Sequence, residues 1–182
     1  MNETNYVSGD NQFGNKGEKS MPNSNFNRAI FAAVALTLIS SAGLAAELPT
    51  RPYLNLDAAR LVLTAAQKKA TAEGWPCVIA VVDSEGLPLI LERMDKASVL
   101  AGVDLAPGKA RTAAMFRKET GVLEDAINGT RPAAITADGY VMMRGGVPIM
   151  VDGTIVGAIG VSADTPDHDE QIARTGAAAL LK

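Results

Sequence analysis

The feature that most constrains this chain is the run Gly145-Gly-Val-Pro-Ile-Met-Val-Asp-Gly-Thr-Ile-Val-Gly-Ala-Ile-Gly-Val-Ser162, apolar and broken only by glycine, proline and one Asp-Gly pair. A two-residue hairpin turn needs positive φ, which Asp and Gly tolerate, so Asp152-Gly153 between two β-rich runs predicts a hairpin. Its strands are expected over Val147–Val151 and Thr154–Ser162. The glycines at 145, 146, 157 and 160 fall in or beside those strands. Glycine weakens a strand unless something must approach the backbone closely. A flat ligand or a neighbouring subunit is the expected visitor.

Not all of the 182 residues belong to the fold. Residues 1–27 carry seven asparagines and almost no apolar periodicity, so residues 1–28 read as a disordered leader and basic n-region ending at Arg28. Ala29–Ile39 is a short apolar core, and small residues follow to Ala46. Basic flank, short core and small-residue end together predict a secretory signal peptide over 29–46, with Met21 as a reasonable true start. A membrane anchor is the competing reading, but the uncharged run is shorter than the roughly 20 apolar residues a span needs. The domain is then expected over 47–182, in the periplasm or secreted and off the membrane once cleaved.

About 136 residues suit one domain with a single core. The net charge of −3 with no basic cluster argues against nucleic acid. Cys77 has no partner for an intrachain disulfide and reads as a buried structural thiol. Leu56–Glu73 repeats apolar residues at helical spacing, with Asn55 placed to cap it and Gly74 to end it. Cys77–Val82 and Leu87–Arg93 form a second hairpin about Ser84-Glu-Gly86. A helix is expected to start near Pro107 and run to Lys118, followed by a short helix capped by Thr120. Residues 129–139 read as a polar loop, Tyr140–Met143 as a further strand, and Asp167–Leu181 as a closing helix. Hairpin blocks instead of βαβ units predict an α+β fold with a mostly antiparallel, five-stranded sheet flanked by helices.

Ala80-Val-Val-Asp83, Leu91-Glu-Arg-Met-Asp95, Lys109-Ala-Arg-Thr-Ala113, Gly145-Gly-Val-Pro-Ile149, Gly157-Ala-Ile-Gly-Val-Ser162 and Asp169-Glu170 follow one another in that order. That succession resembles the GlcG/HbpS family of haem-binding proteins, itself related to the C-terminal domain of PduO-type proteins. The resemblance spans about Leu56 to Leu181. It implies a profilin-like domain that forms homo-oligomers and binds haem, with corrinoid binding among relatives. By matched motif it implies pocket residues Lys109, Thr112, Thr120, Gly145 and Gly146. Pro107-Gly108 departs from the family pattern beside that lysine and is expected to reshape the pocket entrance.

Lys109, Arg111 and Arg117 are candidate partners for haem propionates, because ammonium and guanidinium groups bind carboxylates well; a solvated basic helix face is the alternative. His168 is the one histidine, so any imidazole ligation of haem iron must use it, against its reading as a solvated residue of a helix start. Asp167 and Glu170 share a helical face at i,i+3 and form a candidate iron site, against a plain acidic helix N-terminus. Met94, Met115, Met142, Met143 and Met150 read as packing residues before thioether ligands. Tyr140 and Thr120 are further oxygen donors. No hydrolase, phosphate-loop or zinc signature occurs.

Three functions remain open from the residues. One is an exported tetrapyrrole-binding protein for haem or iron sensing, storage or scavenging. Another is an enzyme that degrades haem or acts on a small organic acid, for which Lys109 with Asp83 or Glu92 is the candidate cluster. The third is an interaction protein whose glycine-rich sheet serves subunit contact.

Overall fold

The computed structural model describes residues 47–181. The expected leader, the signal segment over 29–46 and the start at Met21 lie outside those residues. Helix α1, Leu56–Glu73, has the expected bounds. Asn55 accepts a hydrogen bond from Ala58 N at 2.9 Å, and Gly74, at φ 73°, turns its N–H back to Ala70 O and Thr71 O. Strands β1, Val78–Asp83, and β2, Pro88–Arg93, make the first hairpin. The Asp83 carboxylate holds its turn by accepting from Glu85 N and Leu87 N at 3.0 and 2.8 Å. Helices α2, Gly102–Phe116, and α3, Thr120–Asn128, follow, then a 3-10 turn at Pro132–Thr136. Strands β3, Gly146–Val151, and β4, Thr154–Ser162, form the second hairpin, and helix α4, Pro166–Ala177, runs into a 3-10 turn at Ala178–Leu180. Asp152 and Gly153 sit at φ 48° and 75°, the doubly positive geometry that a tight hairpin requires.

The sheet order is β2-β1-β4-β3, antiparallel at every pair. It has four strands, so the expectation of five is corrected. Tyr140–Met143 is not a strand; side chains take one backbone donor within it and the next one beyond it. Val141 N donates to Thr112 Oγ1 at 2.9 Å and Arg144 N to Glu124 Oε2 at 2.7 Å. Helix α2 begins at Gly102 rather than near Pro107. Its first turn closes through Leu105 N donating to Ala101 O at 2.9 Å, and the donor that Pro107 lacks would have served Val103, which is partly exposed to water. Thr120 is the first residue of α3 rather than its cap; Glu119 occupies the cap position without a side-chain bond to the helix backbone.

Alternation along β1 splits the core. Ile79 and Val81 join Val62, Leu63, Ala66, Ile149, Ile159 and Ile172 under α1 and α4. On the opposite face Ala80 packs with Ala106, and Val82 with Ala110, Ala113 and Ala158, beneath α2. Ala80, Gly160 and Gly146 stand in register across three strands and make a flat track. A β-carbon at Gly160 would strike Ala106 O, and one at Gly146 would strike Lys109 O. The close visitor is therefore this chain's own helix, with alanine against glycine letting the two backbones nearly touch. Among the described residues no helix is long and apolar enough to cross a membrane.

Candidate functional site

Close seating of α2 buries Lys109 at the end of the glycine track. Its ammonium donates to Asp169 Oδ2 at 2.5 Å and to Val161 O at 3.0 Å. Asp169 Oδ1 in turn accepts from Ala163 N. Gly145, at φ +113°, closes the knot: Val161 N donates to its carbonyl at 2.9 Å, and a side chain there would run into Asp169. Burial pushes the Asp169 carboxyl above its usual range, against the pull of the Lys109 ammonium and the Ala163 N–H. A pocket of about 120 Å³ lies beside the pair, with Leu105, Met143, Arg144 and Ser162 among its walls. That is well below the ~300–1,000 Å³ of ordinary ligand sites, so a macrocycle does not fit it.

Thr112 and Thr120 also spend their hydroxyls inside the fold. Thr112 donates to Gly108 O at 2.8 Å and accepts from Val141 N, drawing the loop before β3 onto α2. Gly108 leaves the room, since a β-carbon there would overlap the Val141 side chain. Thr120 Oγ1 accepts from Gly146 N at 2.7 Å and ties the start of α3 to β3. The structure thus gathers Lys109, Thr112, Thr120, Gly145 and Gly146 around one junction, with their polar groups turned inward.

Arg117 lies apart from them, exposed at the left-handed end of α2 with φ 56°. His168 stacks on Trp75 with ring centroids 3.6 Å apart, and its Nδ1 meets Asp164 Oδ1 at 2.7 Å. That hydrogen bond holds the Asp164 carboxyl below its ordinary value. Asp167 is exposed, whereas Glu170 bonds Arg144 at 2.9 Å and Arg174 at 3.1 Å. Arg144, which the sequence reading passed over, also reaches Asp125 at 2.7 Å; Glu170 and Asp125 hold its guanidinium above the ordinary value. No three His, Cys, Asp or Glu side chains converge as a metal site among the described residues. Asp169 was likewise missed as a buried partner, because an acid in a first helical turn looks solvated.

A larger cleft opens beside α3. It measures about 430 Å³, with Phe116, Val122, Leu123, Ala126 and Ala134 as walls and Lys118 and Arg131 along its lining. Helix α3 buries only Thr120 and Gly121, and leaves Val122 55% exposed. Lys118 and Arg131 form no ion pair among the described residues. The sequence signal was Pro132-Ala-Ala-Ile135, an apolar stretch inside a loop read as polar.

Fold and site define an α+β domain with one antiparallel sheet, an inward-turned polar junction and an apolar cleft bordered by cations. Residues 54–178 match the family described as "Haem degrading protein HbpS-like", and the chain belongs to that family. It is 40% identical over 133 residues to Protein GlcG of Escherichia coli, covering 73% of this chain and 98% of that one. A double mutant of HbpS from Streptomyces reticuli superposes with TM-score 0.69 at 33% identity, over 79% of this chain and 99% of that structure. A PduOC complex with haem superposes with TM-score 0.63 at 28% identity, over 71% of this chain and 96% of that one.

Proposed function

We propose that this protein is an exported tetrapyrrole-binding protein whose ligand is haem, held in the α3 cleft. The observation that carries the reading is the meeting of uncovered apolar walls with two cations that form no ion pair among the described residues. A planar macrocycle bearing carboxylates on one edge buries its rings against Phe116, Val122 and Leu123 and presents its propionates to Lys118 and Arg131. Arg117 adjoins Lys118 and is a third propionate partner. Lys109, Thr112, Thr120, Gly145 and Gly146 act from behind, fixing α2 and the start of α3. Asp167, His168 and Glu170 are a separate, weaker candidate for iron. The PduOC–haem neighbour and the HbpS-like family support haem. Export rests on the segment over 29–46, and homo-oligomer formation on exposed Leu61, Leu87 and Leu91.

Haem titration of the protein, followed by visible absorption, tests the reading. A saturable Soret shift is expected, retained in His168→Ala and weakened about 10-fold in Lys118→Gln/Arg131→Gln. No shift at micromolar haem removes haem as the ligand. Decay of bound haem with reductant and oxygen faster than that of free haem would make the protein an enzyme of haem degradation.

A further inference from the structure

We infer that the α3 cleft recognises the porphyrin ring and its carboxylates independently of the iron, so that metal-free porphyrin binds as haem does. The inference rests on the cleft being the tetrapyrrole site. Its walls offer carbon surface from Phe116, Val122, Leu123 and Ala126, and its charges come from Lys118 and Arg131. None of its lining side chains is a His, Cys, Met or Tyr, the usual protein ligands of haem iron. The one lining hydroxyl, on Thr136, donates to Ala133 O at 2.8 Å within its own turn. Elsewhere His168 is held between Trp75 and Asp164, and Cys77 is buried under α1. Ring burial and carboxylate pairing are the same whether the macrocycle centre holds iron or two protons. Selectivity then lies at the rim: a porphyrin with esterified carboxylates keeps the apolar contacts and loses the charged ones.

The full-length protein is titrated with haemin by absorption, and with protoporphyrin IX and its dimethyl ester by fluorescence. Protoporphyrin IX is expected to bind within about 3-fold of haem, and the ester about 10-fold more weakly. Lys118→Gln/Arg131→Gln should weaken haem and protoporphyrin IX by a common factor and leave the ester unchanged. If haem binds while protoporphyrin IX is about 100-fold weaker, iron ligation carries the affinity. That result overturns the inference and leaves haem binding standing. If neither binds, the reading of the cleft falls and this inference falls with it.

Discussion

Lys109 and Asp169 lie sixty positions apart and meet in the interior, Nζ to Oδ2 at 2.5 Å, with side chains 2% and 8% exposed. The pair joins α2, on one face of the sheet, to the first turn of α4. Taking two charges from water is unfavourable, and added hydrogen bonds, to Val161 O from the ammonium and from Ala163 N to the carboxylate, offset part of that cost.

Breaking that pair from one side should expose its cost. Asp169→Asn leaves a buried ammonium without a counter-charge and is expected to destabilise by about 3–5 kcal/mol. Lys109→Met in the same chain should recover much of the loss, since an asparagine still accepts the Ala163 N–H. Urea unfolding of the two variants measures both. A loss below about 1 kcal/mol in the single variant would mean that the charges are solvated in solution.

Gly160→Ala should cost at least about 3 kcal/mol, because the added methyl meets Ala106 O and Ala110 N, and backbone cannot rotate away. Gly153→Ala offers the contrast. Nothing lies within 4 Å of its β-carbon, and only φ 75° opposes it, for about 1–2 kcal/mol. Thermal melts that rank the two in the opposite order would refute close packing of α2 on the sheet.

Thr120→Val removes the acceptor of Gly146 N and should cost about 1–3 kcal/mol. Hydrogen exchange at the Gly146 amide is the sensitive readout. It should speed up in the variant well beyond the change at β1, whereas a uniform change would place the effect in global stability.

Cys77 should resist alkylation by iodoacetamide at pH 8 while the protein is folded, and react once it is unfolded in urea. Burial first, then the negative charges of Asp169 and Glu92, push its thiol from 9.0 up to about 12. Between those values the folded chain keeps a proton that the unfolded chain has lost. The thiol's contribution is therefore complete below pH 9 and declines as pH rises toward 12. Melting temperatures from pH 8 to 11 should fall less steeply in Cys77→Ala; parallel curves would assign the alkaline loss to other groups.

The signals that read true from sequence are those made by near neighbours. Asn55 and Gly74 bound α1 by local hydrogen bonds, and Asp152-Gly153 bends the second hairpin through its own dihedral angles. Tyr140–Met143 misleads because Thr112 takes the Val141 donor, and Glu124 that of the adjoining Arg144, from elsewhere in the chain. The motif around Lys109 was legible in the sequence, yet its burial against Asp169 at the closed end of the glycine track was not.

Turn chemistry, helix periodicity, the α+β class and the family resemblance were determined by the sequence itself, since each depends on residue types at short or ordered spacing. Tertiary structure alone decided which charges are buried, which glycines receive α2, and that α3 leaves an apolar cleft between Lys118 and Arg131. The physical reason is that burial belongs to pairs of distant segments. A carboxylate at a helix start is solvated or desolvated according to what another helix brings against it.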